Sequence, residues 1–244
     1  MTHWAILSGI NGNLPAYKAV LTDIKRLRYE VDALYILGDL IGLHPQCEAL
    51  VQRVREPHKG ELEPQVCIGW WEEQCFNLYG LGSDPEAKEL LDQVGSAGVE
   101  QFWQSISRET MLWLRSQHFG FFEFDCLLIH GSTVSYQDTL TPATPPMQLL
   151  DRLLRAGANT LFCGRSGLAF QLQIPEGAVT STITTLNAPA QTMTQTVRDR
   201  QIIGVGNVGR EPGKATYTLY SPYTNAVSFK TVRYGAQGKG FGAV

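Results

Sequence analysis

The sequence predicts an α/β protein, and three observations carry that reading. Apolar strand-like runs alternate with helical patterns in a β-α-β-α-β order over the first 69 residues, which argues a mostly parallel sheet covered on both faces. A second set of strands starts near Phe121. From Thr160 onward the chain becomes rich in β-formers, and no internal repeat is evident.

Each element has its own signal. Ala5 to Ser8 is a short apolar strand broken by Gly9. Pro15 then falls in the first turn of a helix, where a missing N–H costs nothing. Leu14, Tyr17, Val20, Leu21, Ile24 and Leu27 recur there at helical spacing. Ala33 to Leu37 is the next buried strand, ended by Gly38-Asp39. A helix follows over Gln46 to Arg55, then a polar loop from Glu56 to Pro64, then a strand at Val66-Cys67-Ile68-Gly69. Glu72 to Gln117 reads helical, with good helix formers over Ala87 to Val94 and Glu109 to Arg115. Cys126 to Ile129 is a strand, Met147 to Ala156 a helix and Thr160 to Cys163 a strand. Further strands are expected over Phe170 to Ile174, Gln201 to Val205, Thr216 to Tyr220 and Val227 to Tyr234. The Thr-rich stretch from Val179 to Thr196 reads as alternating strand, broken up by Val179, Ile183 and Leu186.

Composition narrows the class. The 244 residues carry a net charge of −3. That length suits one large α/β domain with a sizeable core, drawn here as a single unit over 1–234. The Gly-rich tail 235–244 has little to bury and is expected to be disordered. Weak acidity leaves no electrostatic footprint for nucleic acid or an anionic membrane. Arg152, Arg155, Arg198, Arg200 and Arg210 read as solvated surface. No run of about 18 apolar residues appears, so no membrane span is expected. The five cysteines have no C-x-x-C spacing, and their odd number offers no disulfide framework. Without a leader pattern at the start, a reduced, cytoplasmic setting is the expectation.

Three strand ends carry polar loops: Leu7-Ser8-Gly9-Ile10-Asn11-Gly12-Asn13, Leu37-Gly38-Asp39-Leu40-Ile41-Gly42 and Ile129-His130-Gly131-Ser132. Gly42-Leu43-His44-Pro45, the turn from Gly204 to Gly209 and Ala215-Thr216-Tyr217 add to the pattern. Together, in this order, they resemble the calcineurin-like metallophosphoesterases, and especially their small bacterial branch. The resemblance covers about Trp4 to Tyr234. It implies a four-layer α/β/β/α sandwich of two mixed sheets flanked by helices.

The resemblance also implies a site at the carboxyl ends of the strands, where open α/β sheets place their ligands. Relatives hold two divalent metals there. Such a pair activates a water and clamps the attacking and leaving oxygens of a phosphoryl displacement. By this reading Asp39 stands for the bridging carboxylate and His130 for a ligand histidine. The other positions are changed. Gly9 and Asn11 stand where relatives have the Asp and His of Asp-x-His. Gly69-Trp70-Trp71-Glu72 replaces Gly-Asn-His-Asp, so an amide ligand and the general-acid histidine become indoles. Gly164-Arg165-Ser166-Gly167 replaces Gly-His-Thr-His. An indole donates but cannot ligate, and arginine has no acceptor.

The expected site is therefore a vestigial cleft of Gly9, Asn11, Trp70, Trp71, Glu72, Arg165, Ser166 and Gly167 around the remnant ligands Asp39 and His130. No cofactor is expected. At most, Asp39, His130 and Asn11 hold a weak single manganese, magnesium or zinc ion. His44, just past Asp39, is the one other histidine near a motif loop. A buried carboxylate without its cation must pair or take up a proton. Arg165 is the expected partner of Asp39, its fork matching a carboxylate. Read singly, each residue has a plainer role: Asp39 a turn cap, His130 a satisfied core histidine, Trp70-Trp71 a plug. The functional expectation is a non-catalytic phosphoesterase relative that binds a protein partner or a phosphorylated small ligand. The alternative is a metal-dependent phosphoesterase working with a reduced ligand set, in which Glu72 would have to serve as the acid. A third reading is an assembly protein that docks a partner through exposed aromatics.

Overall fold

A computed structural model describes residues 2–84, 86–175, 177–185, 188–197 and 199–235, and only the backbone of 178–197. The first half follows the sequence closely. β1 (Trp4–Leu7) leads to α1 (Leu14–Lys25), β2 (Ala33–Leu37), α2 (Cys47–Arg55) and β3 (Pro64–Cys67). Helices α3 (Trp70–Leu78), α4 (Lys88–Ser105) and α5 (Arg108–Arg115) follow, α4 being interrupted at Gly95. The second half holds β4 (Gly120–Glu123), β5 (Cys126–Ile129), α6 (Pro146–Ala156), β6 (Thr160–Cys163) and β7 (Ala169–Ile174). It ends with β8 (Gly177–Thr185), β9 (Ala188–Val197), β10 (Arg200–Val205), β11 (Lys214–Ser221) and β12 (Ala226–Arg233).

The strands form two mixed five-stranded sheets. One runs β12-β11-β1-β2-β3, with β1, β2 and β3 parallel and β11 antiparallel to β1. The other runs β4-β5-β6-β10-β7, with β5, β6 and β10 parallel and β4 and β7 antiparallel at its edges. Both sheets thus aim the carboxyl ends of their parallel strands at loops that can meet.

The two sheets pack face to face. Trp4, Ile6, Tyr35, Leu37 and Cys67 of the first meet Cys126, Leu128, Phe162, Ile203 and Val205 of the second. Alternate residues of the same strands point outward. Ala5, Leu7, Leu34 and Ile36 pack under helices α1 to α5. Ile129, Leu161 and Ile202 pack under Leu149 and Leu153 of α6. The period of two therefore sorts each strand between an inner and an outer core, giving the α/β/β/α layering.

Two departures are instructive. The third strand begins at Pro64 and ends at Cys67, because the Ile68 amide turns away to the His118 carbonyl at 2.8 Å. The Thr-rich stretch pairs β8 on β9 and, among the described residues, joins neither main sheet. The tail expected to be disordered falls almost wholly at 236–244, outside the described residues. No helix among the described residues is long and apolar enough to cross a membrane.

Candidate functional site

The site begins with the turn after β2. Gly38 and Asp39 both adopt positive φ, 65° and 52°. A Cβ on Gly38 would lie 2.4 Å from the Gly69 Cα, so only glycine lets the two loops approach this closely. The turn directs the Asp39 side chain inward, where it is fully buried.

Asp39 has three neighbours. Its Oδ1 accepts the Trp71 amide at 3.0 Å, at the start of α3, where the helix dipole favours an anion. His130 Nε2 lies 3.3 Å from the same oxygen. Arg210 Nη2 donates to Oδ2 at 2.8 Å. Burial raises the Asp39 pKa, but His130, Arg210, the Trp71 amide and Arg165 together hold it below the usual carboxylate value. Burial also lowers the His130 pKa, with Asp39 opposing the shift. Its Nδ1 faces the Leu37 carbonyl at 2.8 Å, and that acceptor fixes the proton on Nδ1. The guanidinium that pairs directly with Asp39 is that of Arg210.

This corrects the sequence reading, which gave that place to Arg165 and read Arg210 as surface. The turn after β10 explains the difference. Val208 and Gly209 donate their amides to the Ser8 and Gly9 carbonyls at 3.0 and 2.8 Å, which lays the next residue, Arg210, across the first loop. A Cβ on Gly9 would lie 3.0 Å from Arg210 Nε, and one on Gly167 2.7 Å from Arg210 Nη1. The guanidinium thus occupies space left by two side chains that the phosphoesterase pattern would place there. Arg210 Nη1 also donates to the Arg165 carbonyl at 3.1 Å, tying the two loops together. The signal in the sequence was the pair of glycines: two opposed positions lost to glycine make room for something large.

Arg165 lies nearby in another role. Its guanidinium stacks over the Trp70 ring, 4.8 Å from the centroid, and reaches Asp39 through longer-range attraction. Trp70 and Trp71 meet edge to face at 5.0 Å, and Trp71 packs on Phe102. Both indoles are core residues, and the face of Trp70 that a base could use is taken by Arg165.

Glu72 is a clamp. Its Oε2 accepts the Asp39 and Gly69 amides, each at 2.8 Å, and its Oε1 accepts the Ile41 amide at 3.0 Å. Burial, and after it the charge of Asp39, raise its carboxyl pKa from 4.5 to about 7 against the pull of the three amides. All three partners are amide donors, so it fastens the Asp39 turn to α3. Ser166 Oγ accepts the Leu168 amide at 3.3 Å within its own loop. His44 Nδ1 accepts the Gln46 amide at 3.3 Å in a local turn. The Asn11 amide donates to the Asp39 carbonyl at 2.9 Å, while Asn11 Oδ1, Arg165 Nε, Trp70 Nε1 and Asn207 Oδ1 are buried without a protein partner.

This donor set does not fit a pair of divalent metals. Such a pair needs several deprotonated ligands converging on one volume. Here one carboxylate and one imidazole converge, and a guanidinium stands against the carboxylate. Among the described residues, no group of three or more His, Cys, Asp and Glu gathers to hold a metal ion.

No protein-family model and no curated protein matches this sequence. Solved structures do match. The hypothetical protein PH1004 from Pyrococcus horikoshii OT3 is similar over 96% of this chain and 89% of that one, at 21% identity and a TM-score of 0.71. A metallophosphoesterase from Sphaerobacter thermophilus is similar over the same 96% and 89%, at 20% identity and a TM-score of 0.65. With two mixed sheets, helices on both outer faces and the strand-end loops gathered around Asp39, the chain has the metallophosphoesterase fold.

Proposed function

We propose that this chain is a non-catalytic phosphoesterase relative in which an arginine has replaced the metals, and that the altered cleft binds a protein partner or a phosphorylated small ligand. The observation that carries the reading is the 2.8 Å contact of Arg210 with Asp39. A guanidinium can neutralise a carboxylate, but it cannot lower the pKa of a water or supply a hydroxide. Arg165 supports the binding half. Its Nε is buried with no protein acceptor, and it lies beside a carboxylate already paired to Arg210. An anion is the natural complement of such a group. The five free, buried thiols fit a cytoplasmic protein.

The test is direct. Protein purified from manganese-supplemented culture is expected to carry well under one metal ion per chain. It is also expected to leave a model phosphodiester intact. A thermal-shift screen of nucleotides and phosphosugars is expected to find a ligand whose stabilisation disappears in Arg165→Ala. Turnover that is abolished by a chelator would reverse the reading. One observation favours that alternative, a phosphoesterase with a reduced ligand set. Asp39 Oδ1 and the Nε2 lone pair of His130 face each other at 3.3 Å without a hydrogen bond, as two ligands of a single ion would.

A further inference from the structure

The hairpin of β8 and β9 stands apart from the two main sheets. Among the described residues the two strands pair with each other alone, from Gly177 opposite Val197 to Thr185 opposite Ala188, with a register shift between Ile183 and Thr185. At about 3.3 Å per residue the hairpin is an arm of roughly 30 Å. An isolated two-stranded hairpin is marginal in water, and among the described residues no further strand pairs with either of its outer edges.

The other free edges in the molecule are blunted. β12 carries Lys230 and Arg233, and β3 opens on Pro64. β4 is four residues long and ends in Glu123, and β7 is followed at once by Pro175. The arm has no such device on β8. From 177 to 197 the sequence contains no Asp, Glu, Lys, Arg or His, whereas 18% of the whole chain is charged. β9 has Pro189 near its tip, which removes a donor from that strand. β8 is nine residues of Gly, Ala, Val, Thr, Ser and Ile with no proline.

We propose that the arm is a dimerisation element, in which β8 pairs antiparallel with β8 of a second copy about a two-fold axis. The result is a four-stranded sheet ordered β9-β8-β8-β9. An uncharged edge has nothing to select an oppositely charged partner and nothing to repel its own copy. A two-fold axis makes a strand antiparallel to itself, so one edge serves both protomers. With the axis at Ser181, the middle of the strand, Thr180 of one copy lies opposite Thr182 of the other. This inference is independent of the cleft.

The test uses the full chain. Light scattering behind size exclusion, from micromolar to near-millimolar protein, is expected to report twice the chain mass. The pair Thr180→Lys with Thr182→Lys puts like charges opposite each other and is expected to return the mass to a single chain. The matched neutral pair Thr180→Gln with Thr182→Gln is expected to stay dimeric. Ser181→Cys is expected to cross-link two chains on mild oxidation, with Val179→Cys and Ile183→Cys reading the register. The five native cysteines are buried, so their background is low. Should the lysine pair disturb folding, the cross-link decides. A single-chain mass at every concentration overturns the proposal, including a monomer that instead partitions onto lipid vesicles. So does a dimer that survives the lysine pair while none of the three cysteines cross-links.

Discussion

Asp39 is fully buried, while the Arg210 side chain that compensates it is 26% exposed. The pair is therefore asymmetric: the carboxylate has no water to fall back on, and the guanidinium has some. Arg210→Ala is expected to lower stability by about 2 to 3 kcal/mol, somewhat below the loss for a fully buried pair. Denaturant unfolding measures it, and Asp39→Asn on top of Arg210→Ala should recover part of the loss. A purely additive double mutant would show that the two do not act as a pair. Gly167→Ala tests the space argument. Its Cβ would fall 2.7 Å from Arg210 Nη1 at a φ of +70°, so a loss of about 1 kcal/mol or more is expected from strain and displacement together. Arg165→Ala leaves the Asp39 pair in place and is expected to affect the cleft more than the fold.

Among elements, two carboxylates act as fasteners between segments far apart in sequence. Glu72 joins the first turn of α3 to the loop after β2 through three amides. Glu72→Gln exchanges an acceptor oxygen for a donor facing an N–H, and a loss of about 1 to 3 kcal/mol is expected in the same unfolding assay. Glu61 joins α1 to α2. It accepts from Lys25 at 2.7 Å, from Arg53 and from the His58 amide at 3.0 Å. Burial raises its pKa, but the Lys25, Arg53 and His58 contacts bring it down from 4.5 to about 2. A carboxyl lowered on folding contributes stability that is fully present above its unfolded value. That stability is lost as pH falls through the folded value. Stability should therefore decline as pH drops from about 4.5 toward about 2, and Glu61→Gln should flatten that limb. An unchanged acid limb in the variant would show that Glu61 does not contribute to it.

For the whole molecule, the parallel strands were legible because their apolar runs are short and bounded by glycine or charge. Ala33–Leu37, Cys126–Ile129 and Thr160–Cys163 fall where the pattern puts them. That Asp39 and His130 come together was legible too, because each follows a strand end, and the two meet at 3.3 Å. Arg210 was not legible as a site residue. It lies 171 positions from Asp39, in a stretch with no periodic signal, and reaches Asp39 only because two loops hydrogen-bond side by side. The separateness of the β8–β9 arm was equally hidden, since alternation marks a strand but not its partner. By itself, then, the sequence determined the strands and the outer helices, which are encoded locally by residue type and spacing. Only the tertiary structure decided which cation stands at the buried carboxylate, because that choice depends on loop contacts and on the space around them. Residue order along the chain carries neither.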